Sequence, residues 1–398
     1  MRIDMVSEHA SPLAAPGSTD SGGQNVHVRE LSLALAAGGH EVTIWTRRDA
    51  AELPERMSLA PGVEVRHIPA GPARPLPKDE LVPHVPALGA ALAAAWRLRR
   101  PDVVHGHYWM SGMAVLAAAG EVGVPTVQTF HALGSVKRRH QGTSDSSPDG
   151  RIAAERTVAR GVDRIIATCS DEVFELARLG APRRRIRVVP CGVDTDAFAP
   201  DGPGLPRGGR PRLVSVGRLV RRKGVDETIA ALAAVPEAEL VVAGGSGPDD
   251  PDRQRLAALA AEHGVGERIR FLGALPREQV PELLRSADVV VCVPWYEPFG
   301  IVPLEAMACA RPVVASAVGG LADTVLDGVT GMHVSPRRPR ELAATLRRLL
   351  ASPVLRASFG AAGQDRALAR YGWDRVAAAT ADVYEQVVAR GPVARTAW

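Results

Sequence analysis

Short apolar runs alternate with longer amphipathic segments along almost the whole chain. In the segment 25–37, Val28, Leu31 and Leu35 recur at the spacing of one helix face, whereas the runs on either side are short and rich in β-branched residues. This alternation is typical of parallel βαβ units and predicts an α/β fold. The predicted strands are 2–6, 41–46, 63–68, 103–105, 126–129, 164–167 and 187–189 in the first half, and 213–216, 239–243, 269–272, 289–293, 313–315 and 331–334 in the second.

The alternation is broken at the proline- and glycine-rich stretch PDGPGLPRGGRPR (200–212). Such a stretch is typical of an interdomain linker. It separates two predicted doubly wound, Rossmann-like domains, 1–199 and 213–373, and a helical stretch follows the second. Two open α/β sheets that face each other leave a cleft at the carboxyl ends of their strands, where ligands of this architecture bind.

The composition agrees with a two-domain protein that binds no nucleic acid. The 398 residues are 46% hydrophobic and 23% charged, which is ordinary for a globular protein. The formal net charge of +4 is too slight an excess for a nucleic-acid-binding surface. Only three of the 48 basic residues are lysines, Lys78, Lys137 and Lys223. Because an ammonium and a guanidinium are not interchangeable, each lysine either serves a site that needs a compact charge or persists by chance at the surface.

The cysteines and the apolar runs predict the cellular compartment. The four cysteines form no C-x-x-C pair and lie in apolar segments, at Cys169, Cys191, Cys292 and Cys309. Buried thiols in a reducing compartment fit this pattern best. The N-terminus lacks the pattern of a secretory signal, and no apolar run approaches about 18 residues. We therefore expect a cytoplasmic protein with no stable membrane insertion.

The first candidate motif, Asp20-Ser21-Gly22-Gly23-Gln24-Asn25, lies between the first strand and the first long helix. Glycines let the backbone approach a ligand closely, and the amides of a helix N-terminus favour a phosphate. The spacing is neither G-x-G-x-x-G nor a P-loop, so NAD or P-loop chemistry is not indicated. A purely structural turn at Gly22 and Gly23 is the alternative.

The second motif, VGRLVRRKG (216–224), follows the first strand of the second half. We expect Arg218 and Lys223 at the carboxyl end of that strand. Two cations there can neutralise a diphosphate, Arg218 through paired N–H groups and Lys223 as a point charge. A run such as Arg221-Arg222 is more often a solvated surface, which is the alternative.

The third motif, PWYEPFGIVPLEA (294–306), leads from an apolar strand through a turn into a helix. Pro303 suits the first turn of that helix, where its missing N–H is not needed. Glu297 in the turn and Glu305 in the helix can both face one ligand, and carboxylates accept hydrogen bonds from paired sugar hydroxyls. The amides of Gly300 and Ile301 suit phosphate oxygens. A helix-capping charge is the structural alternative for one glutamate, but two at this position favour a binding site.

These motifs resemble the retaining glycosyltransferases of family GT4, which have the GT-B fold, and the resemblance extends over essentially the whole chain. It implies two Rossmann-like domains facing each other across a cleft, with a C-terminal helix, 374–398, packing back on the first. It makes 1–199 the acceptor-binding domain and 213–373 the nucleotide-sugar-binding domain. It places Glu297 near the hydroxyls of the transferred sugar, Glu305 on the ribose, and Arg218 and Lys223 on the diphosphate. The implied donor-binding residues are Gly22, Gly23, Arg218, Lys223, Glu297, Phe299, Gly300, Ile301, Val302 and Glu305.

Within this family the N-terminal half is similar to the glycosyltransferases of mycothiol synthesis, which add N-acetylglucosamine from UDP to inositol 3-phosphate. The similar segments are SPL (11–13), GGQN (22–25), HGHYWMSG (105–112) and TFH (129–131). The similarity implies that the acceptor phosphate is bound by Asn25, Lys78, Tyr108 and Arg151. The threonine expected next to the active-site histidine is Ala132 here, which removes one hydroxyl donor. The glycine loop and the Glu-Pro-Phe-Gly turn also resemble those of sucrose-phosphate synthases.

His131 follows a predicted strand, and the resemblance implies that it touches the donor sugar or orients the acceptor. A structural role is the alternative, since the chain has 11 histidines. The cluster Lys137-Arg138-Arg139-His140 either attracts an anionic acceptor or is a solvated loop.

The resemblance implies transfer of a hexose or N-acetylhexosamine from a nucleotide diphosphate sugar, with UDP favoured, to a small hydroxylated acceptor such as an inositol phosphate or a natural-product sugar. His131, Arg218, Lys223 and Glu297 are the expected catalytic residues, and the anomeric configuration is expected to be retained. No Asp-x-Asp metal motif stands where a divalent ion would hold the diphosphate, so we expect neither a metal nor another cofactor. We also expect a monomer or homodimer.

Other functions remain open on the sequence. A GDP-mannose-dependent mannosyltransferase and a sucrose-phosphate-synthase-like enzyme are alternatives of the same class. A sugar-nucleotide epimerase and a non-catalytic nucleotide-sugar sensor are alternatives of different classes.

Overall fold

The structure is a computed structural model that describes residues 1–13 and 22–392. Asp20 and Ser21 of the glycine loop, and the part of the predicted helix 374–398 beyond 392, lie outside the described residues.

The described residues follow the predicted alternation of strands and helices. The strands are β1 Arg2–Val6, β2 Glu41–Arg47, β3 Arg56–Ala60, β4 Val63–Ile68, β5 Val103–His107, β6 Thr126–Thr129, β7 Arg164–Ala167, β8 Ile186–Val188, β9 Arg212–Val216, β10 Glu239–Ala243, β11 Ile269–Gly273, β12 Val289–Cys292, β13 Val313–Ser316 and β14 Gly331–Val334. The helices are α1 Gly23–Ala37, α2 Val85–Leu98, α3 Trp109–Val122, α4 Gly134–Gln141, α5 Arg151–Gly161, α6 Ser170–Arg178, α7 Val225–Leu232, α8 Pro251–Glu262, α9 Val280–Arg285, α10 Ile301–Ala308, α11 Gly320–Thr324, α12 Pro339–Leu350, α13 Pro353–Arg370 and α14 Trp373–Arg390.

The first structural unit comprises, among the described residues, 1–13, 22–190 and 373–392. Its eight strands lie in the order β3-β4-β2-β1-β5-β6-β7-β8 and are parallel, except that β3 pairs antiparallel with β4. The sequence pattern missed β3, and it ended β5 at His105 although the ladder continues to His107, which lies opposite Thr129. The chain order reverses between β1 and β5, which is the switch point where ligands of such sheets bind.

Helix α14 packs in the first unit, against α1, β5 and β7. The hydroxyl of Tyr384 on this helix lies 2.7 Å from Nδ1 of His105 on β5. Both side chains are fully buried, so the last described helix is part of the core around the first sheet.

The second unit is Cys191–Gly372. Its six strands are all parallel, in the order β11-β10-β9-β12-β13-β14, with the switch point between β9 and β12. Apolar strands such as β12 have helices on both faces, as expected for a parallel sheet buried on both sides.

The division between the units lies between Pro190 and Cys191, before the proline- and glycine-rich stretch that the sequence predicts as a linker. That stretch is bonded into the second unit by Arg212, which is 1% exposed. Its guanidinium donates to the carbonyls of Leu205 and Pro206 and to Glu239. A buried arginine needs hydrogen-bond acceptors for its N–H groups. These bonds therefore attach the stretch 200–212 to the second unit.

One helical stretch among the described residues, Lys78–Leu98, is long and apolar enough to cross a membrane, judged by length and composition only. It has 21 residues, and an 18-residue window within it has a mean hydropathy of 1.2. Its inward residues Leu88, Leu92 and Trp96 lie in a hydrophobic cluster of the first unit. The apolar face of α2 is thus part of that unit's core.

Candidate active site

A tight turn after β9 brings Lys223 to the end of β12. The turn Arg221–Lys223 ends at Gly224, whose φ of 77° is in the left-handed region. A Cβ at Gly224 would lie 2.0 Å from the carbonyl oxygen of Val293, so only glycine allows this approach. The same contact places the Lys223 ammonium against the loop that follows β12.

Lys223 forms an ion pair with Glu297 in that loop. The Glu297 side chain is 11% exposed, and that of Lys223 is 25% exposed. Burial acts to raise the pKa of Glu297, but Lys223, Arg222 and the Phe299 amide together hold that pKa below its ordinary value. Glu297 is therefore a charged acceptor that already has a cationic partner.

Two glycines after β13 support the same loop, and the sequence analysis did not single them out. The amide of Gly320 donates to the Glu297 carbonyl at 2.8 Å. A Cβ at Gly319 would lie 2.4 Å from that carbonyl, and one at Gly320 would lie 2.5 Å from the carbonyl of Pro298. A glycine pair two residues beyond the end of a strand was the available signal.

Helix α10 begins at the end of this loop. Gly300, with a φ of 77°, precedes Ile301 at its first position, and Val302 and Pro303 lie in its first turn. The first amides of the helix therefore have no partner within it and can bind an anion, as the sequence predicts.

Glu305 on α10 is 2% exposed and is paired with Arg277, whose NH1 lies 2.8 Å from Oε1. Burial raises the pKa of Glu305 above its ordinary value even though Arg277 opposes the shift. Arg277 also lies over the ring of Phe198, at 5.1 Å. Arg277 was not predicted from the sequence, because nothing in its local segment connects it to a glutamate 28 positions away.

Arg218 follows β9 at the carboxyl edge of the same sheet, and its side chain is exposed. The second unit thus has Arg218, Lys223, Glu297 and Glu305 on segments that follow β9 and β12, the strands at the switch point.

In the first unit, the glycine loop leads into α1 as predicted. Gly22 precedes the helix, and a Cβ there would meet no atom within 4 Å. Asn25, a predicted acceptor ligand, uses its side chain locally: Oδ1 accepts from the Gly22 amide at 3.0 Å, and Nδ2 donates to the Ser11 carbonyl at 2.9 Å. Asn25 therefore holds the loop in shape.

The other three predicted acceptor residues meet around one aromatic ring. The Lys78 ammonium lies 5.3 Å from the ring centre of Tyr108, and the Arg151 guanidinium lies 5.1 Å from it. His9, which the sequence analysis did not assign, meets the same ring edge-on at 4.9 Å. Arg151 is 2% exposed and bonds to Glu155 and to the Ala132 carbonyl, at 2.8 Å in each case.

Lys137 belongs to the same neighbourhood. Its ammonium and NH1 of Arg151 both donate to the hydroxyl of Ser147, at 2.9 and 3.1 Å. Lys137 also pairs with Asp145 at 2.9 Å. Burial acts to raise the pKa of Asp145, but Lys137 and Ser147 hold it at about 2. Two of the chain's three lysines therefore lie near Arg151.

His131 lies just beyond β6 and is 4% exposed. Its φ of 61° and the 77° of Tyr108, which follows β5, are left-handed values that cost energy in non-glycine residues and cluster at functional sites. Nε2 of His131 lies 2.9 Å from Nδ1 of His107. Within 1–13 and 22–392, no three histidine, cysteine or acidic side chains are arranged as a metal site.

Comparisons with known proteins extend over the same two halves. Residues 21–197 match the family model described as Glycosyltransferase Family 4, and residues 202–366 match the one described as Glycosyl transferases group 1. Among similar proteins, the D-inositol 3-phosphate glycosyltransferase of Xylanimonas cellulosilytica is 41% identical, with 98% of each chain covered. The protein of the same name from Frankia alni is 39% identical, with 97% of this chain and all of that protein covered.

Solved structures show the same fold. The sucrose-phosphate synthase of Thermosynechococcus elongatus is 32% identical, with a TM-score of 0.91 over 98% of this chain and 100% of that one. Anabaena HepE, solved with UDP and glucose, is 19% identical, with a TM-score of 0.75 over 97% and 100%. These neighbours are GT-B glycosyltransferases, which confirms the expected fold. The family models and the full-length relatives confirm the resemblance as well, and the chain belongs to glycosyltransferase family 4.

Proposed function

We propose that this glycosyltransferase moves a hexose or N-acetylhexosamine from a nucleotide diphosphate sugar, with UDP favoured as the nucleotide, to a small phosphorylated acceptor with several hydroxyl groups. The observation that carries the proposal is the contact of Lys223 with Glu297 beside the first turn of α10. A cation for the diphosphate and a carboxylate for the sugar hydroxyls lie side by side there, next to helix amides. This arrangement fits a donor in which a diphosphate is linked directly to a sugar.

In the proposed reaction the bond between the sugar and the nucleotide diphosphate breaks, and negative charge develops on the diphosphate. Arg218, Lys223 and the first amides of α10 stabilise that charge. Groups already held in position stabilise charge in a transition state most effectively, because they need little reorganisation. Glu297 and Glu305 accept hydrogen bonds from the sugar and the ribose, respectively.

The acceptor half rests on the cations around Tyr108. Lys78, Lys137 and Arg151 suit a phosphate, and the relatives named for inositol 3-phosphate support an acceptor of this kind. Arg151 is bonded to the carbonyl of Ala132, the position where the resemblance leads one to expect threonine. The position that lacks the threonine hydroxyl is therefore next to the proposed phosphate site. We expect this position to affect which phosphorylated acceptor the protein selects.

We further propose that the sugar keeps its anomeric configuration and that no metal takes part. In such a reaction the acceptor hydroxyl attacks from the face that the diphosphate leaves, and a diphosphate oxygen takes the proton. Arg218 and Lys223 then supply the positive charge that a divalent ion provides in other transferases.

A substrate panel tests this proposal. The purified protein is incubated with UDP-N-acetylglucosamine, UDP-glucose or GDP-mannose, each with inositol 3-phosphate, a hexose phosphate or no acceptor, in the presence of EDTA. Mass spectrometry identifies the products, and NMR of the anomeric proton gives their configuration. A glycosylated phosphate acceptor with the donor's configuration is expected. Donor conversion without any acceptor would instead indicate an epimerase, and melting stabilised by donor without turnover would indicate a sensor.

A second candidate is a synthase that glycosylates a hexose phosphate. The 32% identity to a sucrose-phosphate synthase over the full chain favours it, as does the alanine at position 132. The hexose phosphate arm of the panel separates it from an inositol phosphate transferase.

A further inference from the structure

Arg222 precedes Lys223 in the turn after β9, and the sequence alone favours a solvated surface for it. Arg222 is half-buried, however, whereas its neighbour Arg221 is exposed. NH1 of Arg222 is buried and has no hydrogen-bond acceptor among the described residues. A guanidinium that only solvated the surface would turn its N–H groups to water, since an unmet buried N–H costs free energy. Other interactions therefore hold this side chain in place.

Arg222 makes two contacts with the loop that follows β12. Its guanidinium carbon lies 5.3 Å from the ring centre of Tyr296, within the range of a cation–π interaction. Its carbonyl accepts a hydrogen bond from the Trp295 amide at 2.8 Å. Lys223, the next residue of the turn, pairs with Glu297, the next residue of the loop. The turn and the loop therefore lie side by side, and Arg222 holds the backbone that carries the Glu297 carboxylate.

The charge of Arg222 also acts on Glu297. Burial acts to raise the pKa of the Glu297 carboxyl, but Lys223 and Arg222 both lower it, and the result is a pKa below the ordinary value. Cys292, at the end of β12, is the titratable group that interacts with Glu297 from that strand, and burial raises the pKa of its thiol to about 12. Cys292 is therefore uncharged at neutral pH. The glycines 319–320, which pack on the loop after β13, carry no side-chain charge.

In the proposed reaction, Lys223 interacts with two anions. Its ammonium contacts Glu297 in the structure, and it is also the cation proposed for the donor diphosphate. The negative charge of a bound diphosphate offsets the positive charge of Lys223 and favours protonation of a nearby carboxylate. A protonated Glu297 has less capacity to accept hydrogen bonds from sugar hydroxyls. A second cation beside Glu297 opposes this protonation.

We propose that Arg222 is a positioning residue for Glu297, which holds the loop through Tyr296 and remains as a cation beside the carboxylate when Lys223 binds the donor diphosphate. This inference rests on the proposed function, because it assigns the donor sugar to Glu297 and the diphosphate to Lys223. Arg222 acts through Glu297 and not by contact with the donor. Its removal should change the protonation of Glu297 and the binding of the donor, and should leave acceptor binding unaltered.

Four substitutions separate charge from packing. Arg222→Met and Arg222→Gln both remove the charge, the first with an apolar and the second with a polar side chain, whereas Arg222→Lys keeps it. Arg221→Met is the matched control, because it removes the same charge from an exposed position in the same turn. Melting temperatures show that each variant is folded before the comparison is made.

The first test measures the Glu297 carboxyl in the protein without donor. Glutamate labelled with ¹³C at the side-chain carboxyl is incorporated, and the Glu297 signal is identified by its loss in Glu297→Gln. We expect the pKa of Glu297 to be higher in Arg222→Met and Arg222→Gln than in wild type, and close to wild type in Arg222→Lys and Arg221→Met. An unchanged pKa in both neutral variants of Arg222, or an equal rise in Arg221→Met, overturns the proposal.

The second test repeats the titration with UDP, which supplies a diphosphate without the sugar. We expect the difference in the pKa of Glu297 between wild type and Arg222→Met to persist when UDP is bound. If bound UDP abolishes that difference, Arg222 does not take over from Lys223 and the proposal is wrong. If UDP binds to no form of the protein, the proposed function fails, and the first test alone decides whether Arg222 controls Glu297.

The third test uses steady-state kinetics. Because Glu297 is expected to act as a carboxylate, a raised pKa moves the acidic limb of the donor kcat/KM profile to higher pH. We expect Arg222→Met to lower the donor kcat/KM about tenfold on that limb, with the acceptor KM unchanged and Arg222→Lys close to wild type. A loss that is equal at every pH, or that appears equally in the acceptor KM, would indicate a merely structural role and contradict the proposal.

Discussion

Two buried carboxylates, Asp4 in the first unit and Glu297 in the second, have pKa values that move in opposite directions. Among the described residues, the hydrogen-bond donors to the Asp4 side chain are the indole N–H groups of Trp45 and Trp96, both at 2.7 Å. Burial raises the pKa of Asp4 from 3.8 to about 6. Glu297 contacts Lys223, and its pKa is lowered in spite of its burial. Neutral donors do not offset the loss of hydration, whereas a contacting cation with further donors does.

Glu305 and Glu155 are intermediate cases. Each is buried and bonded to one arginine, Glu305 to Arg277 and Glu155 to Arg151, and burial still raises each pKa above its ordinary value. A single ion pair therefore does not fully compensate burial in this protein. Glu155 also accepts from the Gly134 amide, so Glu297 differs because a second cation, Arg222, adds to the effect of Lys223. Of these four carboxylates, the one proposed to face the sugar is the one whose pKa is lowered.

The largest effect is expected from breaking the pair inside the first unit. Arg151→Met leaves Glu155 buried without its cation and should lower the free energy of unfolding by about 3–5 kcal/mol. Urea denaturation measures the loss. Arg156→Met, an exposed arginine on the same helix, is the matched control, and an equal loss there would show that the buried pair is not the cause.

Lys223→Ala should give the next largest effect. It removes the cation proposed to stabilise the leaving diphosphate, so kcat should fall about 10²–10³-fold, the cost typical of losing one such group. The pKa of Glu297 should also rise, which the acidic limb of the pH–rate profile would report. Arg221→Ala, an exposed neighbour in the same turn, should stay within about twofold of wild type. Unaltered turnover in Lys223→Ala would refute the charge-neutralisation account.

Asp4→Asn tests the carboxylate whose donors among the described residues are two uncharged indoles. The folded protein holds this proton more tightly than the unfolded chain does, since the folded pKa is about 6 against 3.8. The contribution of Asp4 to stability is therefore complete below about pH 4 and is lost as the pH rises through 6. Asparagine cannot titrate, so Asp4→Asn should remove this loss of unfolding free energy. Relative to wild type, the free energy of unfolding of Asp4→Asn should therefore be about 2–3 kcal/mol more favourable at pH 7 than at pH 4. Parallel pH–stability curves for the two proteins would contradict the raised pKa.

Arg277→Met should have the smallest effect. Glu305 then loses its only charged hydrogen-bond donor identified among the described residues and becomes easier to protonate, so it should hold the ribose less well. The KM for the donor should rise about tenfold, while kcat and the acceptor KM change little. Steady-state kinetics with each substrate varied in turn separate these quantities. A change confined to kcat would mean that Arg277 acts on the reaction step and not on donor binding.

The sequence alone predicted much of the architecture, because burial on both faces leaves parallel strands as short apolar runs. Strands such as β1, β4, β6 and β10 have the predicted bounds. The antiparallel β3 was missed because its residues are half-exposed and carry no strong alternation. The predicted linker, 200–212, lies after the boundary between the units at Pro190 and Cys191. Chain composition does not reveal that the buried Arg212 bonds this stretch to the second unit.

For the site, local motifs identified the residues on turns and helix N-termini, namely Arg218, Lys223, Glu297, Gly300 and Glu305, since a turn next to a strand is visible in a short window. Tertiary structure alone supplied the partners that set their charge and orientation. Arg277 lies 28 positions from Glu305, and His107 lies 24 from His131. Hydrogen bonds and charge interactions depend on distance in space, which neither composition nor periodicity contains. The sequence therefore determined which chemical groups the sheet edges carry, and the packed fold decided which of them are charged and which are neutral.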